Sequence, residues 1–137
     1  MTNGPYGKPL PAIDPLTKPF WDEARREQLS VQSCTSCDRL HVPPTPVCAN
    51  CLGKEFIWKP MSGRGTLLSW VVYHRAYWPG FTADVPYKVC LVQLEEGPIL
   101  VSNLVDAAEV DVAVGKAVRV IFDRVTEDVT LPKFILE

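Results

Sequence analysis

CTSCDRLHVPPTPVCANC, residues 34–51, gathers four of the chain's five cysteines into two Cys-x-x-Cys pairs with a proline-rich stretch between them. Each pair offers two sulfurs from one tight turn, and the segment 38–47 is long enough for the second turn to double back onto the first. That is the layout of a tetrahedral thiolate site for zinc, with Cys34, Cys37, Cys48 and Cys51 as ligands. Pro43, Pro44 and Pro46 stiffen the intervening loop without asking for hydrogen bonds from N–H groups they lack. Sulfur spacing alone does not choose the metal, so an iron site of the same ligand set stays open. Two disulfides fit a reducing compartment poorly. His41 lies inside the loop, where it is read as an exposed residue because four cysteines already fill the coordination sphere. A closed tetrathiolate leaves no position for substrate or water. The metal is therefore structural, and it would fold a ribbon too small for a core of its own.

Around this clasp the sequence reads as mainly β. With 137 residues and 47% hydrophobic content it suits one small domain or two very small ones. The proline-rich segment 1–17 is expected to be an extended arm. Phe20, Trp21, Ala24 and Leu29 recur at helical spacing, which predicts an amphipathic helix over 18–33. Phe20 and Trp21 either pack on the ribbon or dock on a partner. Residues 34–60 form the zinc ribbon, closed by a strand at 54–60. Five β-rich runs follow, at 65–74, 87–95, 98–105, 117–125 and 131–137. Glu96-Gly97 supplies a tight hairpin, and a longer connection follows the third run. Residues 61–137 are thus expected to be a five-stranded OB-fold barrel. Cys90, between Val89 and Leu91, reads as buried packing.

Nothing at the N-terminus reads as an export signal, and no run approaches the roughly 20 apolar residues of a membrane span. The expected compartment is the cytoplasm, with no membrane association. The only histidines are His41 and His74, the carboxylates do not form an acid/base pair, and GRG at 63–65 lacks the helix that a phosphate loop requires. No catalytic set is assigned. His74, at a strand end, reads as solvent-facing, and Glu95-Glu96 as solvated turn residues.

The segment 75–87, RAYWPGFTADVPY, joins the first two barrel strands and carries Tyr77, Trp78 and Phe81 around Pro79-Gly80. That is more aromatic surface than a solvated loop needs, and it marks a ligand or partner contact at the barrel mouth.

The order of a helix, C-x-x-C…PP…C-x-x-C, SGRGTLLSWVVYHR, a PGF loop, PYKVCLVQLEEGPILVSNLVD, VGKAVRVIFDRV and a closing LPKF resembles the zinc-ribbon and OB-fold acyl-CoA-associated proteins, a family known as a domain of unknown function. The resemblance runs from about Phe20 to Phe134. It departs at Asp38, where the family usually has glycine. It implies a non-catalytic subunit of a thiolase-fold enzyme: a thiolase, an acyltransferase or a lipid-transfer-protein-like aldolase of steroid side-chain breakdown. The barrel would help receive a CoA thioester, and the ribbon and helix would fasten the two proteins together. In that setting Tyr77, Trp78 and Phe81 would line the pantetheine chain, while Arg64, Arg75 and Lys88 would meet its phosphates. Other members lie beside or are fused to hot-dog-fold hydratases. The alternative is a single-stranded nucleic-acid-binding module, which ribbon and OB barrel each suggest in isolation. A net charge of −2, from 14 basic and 16 acidic residues, opposes it.

Overall fold

The computed structural model describes residues 6–137. Of the arm expected over 1–17, residues 1–5 lie outside the described residues. The remainder runs without regular structure to a turn at Asp14–Thr17 that opens the helix. There the Thr17 N–H donates to Asp14 Oδ1 at 2.9 Å and the Asp14 N–H donates to Thr17 Oγ1 at 3.2 Å, and a proline occupies the first turn, where its missing N–H costs nothing.

The helix, α1, spans Lys18–Arg25, not 18–33. It is closed by a paired C-terminal motif in which Glu27 N–H reaches Ala24 O and Gln28 N–H reaches Glu23 O, with Glu27 in the left-handed region at φ 59°. Leu29, which completed the helical spacing in the sequence, instead leads into strand β1 (Ser30–Cys34). All five of that strand's residues are buried, because it is the centre of a three-stranded sheet flanked by β2 (Leu40–His41) and β3 (Phe56–Pro60). Its polar composition hid it. Gln32 answers the polarity by accepting from Thr45 N–H at 2.9 Å and donating to Thr45 O at 3.0 Å, so an amide side chain ties down the loop where three prolines offer no N–H.

The remaining strands are β4 (Arg64–Tyr73), β5 (Tyr87–Leu94), β6 (Ile99–Leu104), β7 (Ala117–Arg124) and β8 (Thr130–Leu136). They close in the order β4-β5-β6-β8-β7. All neighbours are antiparallel except β6 and β8, which meet in parallel at Leu104 and Phe134. This is a five-stranded OB-fold barrel, with the longer connection after its third strand as expected. Inward residues alternate along β5, where Cys90, Val92 and Leu94 are buried.

Leu29, Val31 and Met61 from the ribbon side join Leu67, Val92, Val118 and Phe134 of the barrel in one buried cluster. The ribbon therefore shares the barrel's core, which fixes the two units together. Polar contacts reinforce the joint. Met61 N–H donates to Leu29 O at 2.7 Å, and Gln28 Nε2 donates to Met61 O at 3.0 Å. At the β5–β6 hairpin, Glu96 accepts from Ser62 N–H at 2.7 Å and Glu95 from Ser62 Oγ at 3.2 Å. Both side chains stay exposed, yet they clasp the chain where ribbon passes into barrel.

Candidate metal centre and barrel-mouth groove

The two cysteine turns are conformational copies of one another. In the first, Asp38 N–H bonds Cys34 O at 2.9 Å and Cys34 N–H bonds Arg39 O at 2.9 Å; in the second, Leu52 N–H bonds Cys48 O at 2.9 Å and Cys48 N–H bonds Gly53 O at 2.8 Å. The Sγ atoms of Cys34, Cys37, Cys48 and Cys51 all lie within 4.8 Å of one another, with Cys34–Cys51 at 3.5 Å and Cys37–Cys48 at 3.6 Å. Disulfides at about 2.05 Å are excluded at these separations. A tetrahedron with metal–sulfur bonds of about 2.3 Å has edges of about 3.8 Å, so the cluster fits one zinc ion in size, donor type and number.

Proton chemistry points the same way. Hydrogen bonds from the Asn50 side chain and the Arg39 backbone lower the Cys37 thiol to about 6. For Cys51 the Gly53 backbone acts to lower the pKa, but the crowding thiols of Cys34 and Cys37 override it and push the group up to about 12. Four sulfurs this close cannot all ionise without a cation between them, and a bound cation would displace the remaining protons. Gly53 presses against the cluster: a Cβ there would stand 3.3 Å from the sulfurs of Cys34 and Cys51.

His41 is not an exposed loop residue. It lies on β2, 8% exposed, with its ring edge-on to Phe56 at 5.8 Å and Nε2 3.2 Å from Cys48 Sγ. Burial, and then the Arg39 charge, hold its pKa below the usual histidine range. No local pattern signals this: only the pairing with the buried Gln32 across β1–β2 turns the residue inward.

At the far end of the barrel the segment 75–87 turns through a single 3-10 turn, Pro79–Phe81, and forms a groove of about 720 Å³ with the strand ends. Tyr73 and Tyr87, register partners on β4 and β5, stack at 5.1 Å. Phe81 stacks on Tyr87 at 5.4 Å and Tyr77 meets Tyr73 edge-on at 6.2 Å. Trp78 completes the wall. Arg75 lies over the Tyr77 ring at 5.1 Å. Tyr77 is 72% exposed, so the loop presents its aromatic surface outward. His74 is exposed and also lines the groove. The sequence reading missed Tyr73 and Tyr87 because they read simply as strand ends.

The three cations expected at one ligand do not meet. Arg64 opens β4, a strand's length from the groove, and pairs with Glu95 at 3.4 Å. Lys88 turns into a second groove of about 590 Å³, where Nζ donates to Ala107 O at 3.2 Å and lies 3.8 Å from Glu109. Successive side chains alternate across β5, so Lys88 leaves the strand on the other face from Tyr87, but Tyr87 and Phe81 line both grooves and the two adjoin there. The same second groove receives the arm. Lys8 pairs with Asp84 and lies 5.1 Å from the centre of the Phe81 ring, while the Gly7 carbonyl fills the space a Cβ on Gly80 would take.

Phe20 and Trp21 meet edge-on at 4.9 Å and, with Trp58, Val42, Pro43 and Pro44, enclose an apolar cavity of about 160 Å³ between helix and ribbon. Cys90 is 2% exposed, and burial pushes its thiol up to about 11. Among the described residues no helix is long and apolar enough to cross a membrane.

Two family models match this chain: the rubredoxin-like zinc ribbon domain of ChsH2 over residues 21–56 and the C-terminal OB-fold domain of ChsH2 over residues 58–123. The solved structure of an Ltp2-ChsH2(DUF35) aldolase contains a chain that superposes with a TM-score of 0.83 at 32% identity, over 93% of this chain and 98% of that one. The chain belongs to the DUF35 family. Another DUF35 relative, a scaffold protein of Methanocaldococcus jannaschii, is 32% identical over 69% of this chain and 67% of its own length. A probable enoyl-CoA hydratase alpha subunit of Thermomonospora curvata is 35% identical over 93% of this chain. This chain spans 39% of that protein's length.

Proposed function

We propose that this DUF35 protein is a non-catalytic accessory subunit of a thiolase-fold enzyme, and that its barrel-mouth groove helps receive the enzyme's acyl-CoA substrate. The observation that carries the subunit role is the similarity, across nearly the whole of both chains, to a component of a two-protein aldolase. The groove supports the ligand. A pantetheine arm is a thin chain of amides and methylenes, suited to lie along Tyr77, Trp78 and Phe81 with Arg75 in reach of a phosphate. Arg64, at the other end of β4, and Lys88, turned toward Glu109 in the adjoining groove, are not assigned to that contact. Cys34, Cys37, Cys48 and Cys51 hold one structural zinc, whose bond energy maintains the ribbon and supplies no chemistry to substrate. The resemblance implies aldol or thiolytic chemistry in the side-chain degradation of steroids or other lipids, with the reacting groups on the partner.

Titration of the chain with its thiolase-fold partner, followed by calorimetry with a CoA thioester, tests this reading. A stable complex that binds the thioester more tightly than the partner alone is expected. Strong, salt-sensitive binding of a labelled single-stranded oligonucleotide by the isolated chain, with no complex formed, would favour a nucleic-acid module instead.

A further inference from the structure

We infer that His41 is a positioning residue of the metal centre: its Nε2–H donates to the Cys48 sulfur and would hold that ligand in place for a zinc ion. The inference rests on the reading that the four cysteines hold zinc. A zinc ion among four thiolates leaves a net charge of two minus, and burying that charge requires N–H donors aimed at the sulfurs. Cys48 is buried, and two donors converge on it: His41 Nε2 at 3.2 Å and the Asn50 N–H at 3.4 Å. A thiolate has lone pairs and no proton, so the hydrogen in the His41–Cys48 contact sits on Nε2, which selects one imidazole tautomer.

The ring is held for this task. Strand pairing of His41 with Gln32 turns it inward, and Phe56 on β3 closes against it edge-on. The four sulfurs are also unequal: Cys34 and Cys48 are buried, Cys37 is half-buried and Cys51 is exposed. Hydrogen bonds that draw electron density from Cys48 weaken its attack on outside electrophiles, so exchange and damage at the centre should begin at the more exposed pair, Cys37 and Cys51.

The test uses the zinc-loaded full chain and its cobalt(II) form. His41→Phe keeps a ring but removes the donor, and is expected to weaken zinc about 10–100-fold in competition with a chelating dye. It should also move the sulfur-to-cobalt charge-transfer band to lower energy. His41→Gln restores an N–H near the position of Nε2 and should recover most of both effects. Long-range proton–nitrogen correlation in the wild-type imidazole should place the proton on Nε2. A proton on Nδ1 alone, a metal-bound Nε2, or a His41→Phe protein with an unmoved charge-transfer band would overturn the inference. The wild-type spectrum decides even if the variants fail to fold, and a metal-free wild-type chain would overturn the zinc reading itself.

Discussion

Asp38 and Leu52 occupy the same backbone state, φ 64° and 65°, each four residues after the leading cysteine of its pair. The left-handed conformation turns the chain back after each of them, so that the next carbonyls, Arg39 O and Gly53 O, accept from Cys34 N–H and Cys48 N–H and close the two knuckles. Asp tolerates that conformation better than most side chains, which explains how the first knuckle forms without the usual glycine. Leu52 has no such help, and it is 73% exposed, so its side chain gains little from burial. Leu52→Gly should strengthen zinc binding by about 1 kcal/mol, roughly fivefold, and Leu52→Val should weaken it. Competition against a zinc chelator measures both.

Gln32 is the other support of the metal loop. Replacing it with alanine leaves Thr45 N–H and C=O without their partners, and the expected loss is about 1–3 kcal/mol. Hydrogen exchange should show the Thr45 amide opening before the barrel amides do.

The arm and the aromatic loop are interlocked at Gly7 and Gly80. Gly80→Ala puts a methyl where the Gly7 carbonyl stands, so residues 6–9 should leave the second groove while the barrel keeps its stability. Lys8→Ala, which removes the contact with Asp84, should loosen the same segment to a lesser degree. Limited proteolysis of the arm reads both effects against a barrel that stays intact.

Cys90 gives a pH dependence with a definite sign. Burial raises its folded pKa from 9.0 to about 11, so the thiol keeps its proton in the fold over a range where the unfolded chain loses it. The resulting contribution to stability is fully present below pH 9 and is lost as pH rises through about 11. Cys90→Ala should lower stability at pH 7 through the small cavity it leaves, and flatten the decline from pH 9 to 11 relative to wild type. Denaturation series of both proteins at those pH values provide the comparison.

The parts of this fold that were legible in the sequence are those governed by local pattern. The cysteine spacing marked the knuckles, and alternation in stretches such as YKVCLVQLE and AVRVIFDRV placed barrel strands within a residue or two. SVQSC was opaque because it is a fully buried strand made largely of polar residues, stabilised by partners distant in sequence such as Thr45. His41 was misplaced for the same reason, since only its pairing with β1 turns it inward. At the groove the loop aromatics stood out, whereas Tyr73 and Tyr87 gain their role from cross-strand register. Cation positions were the least legible. Arg64 sits at the end of β4 away from the aromatic groove, and Lys88 leaves β5 on the other face from Tyr87 into the adjoining groove, distinctions that depend on strand length and pleat.

The most direct test of a groove that serves a partner enzyme is the activity of the reconstituted complex with Tyr77→Ala/Trp78→Ala. Both side chains are exposed, so their removal spares the barrel core. An aromatic anchor of this kind contributes about 2 kcal/mol or more, roughly thirtyfold in affinity. With saturating partner, kcat/KM for the acyl-CoA should fall by about that factor while zinc content and complex formation stay at wild-type levels. Unchanged kcat/KM in a fully assembled complex would contradict the assignment of the groove to substrate.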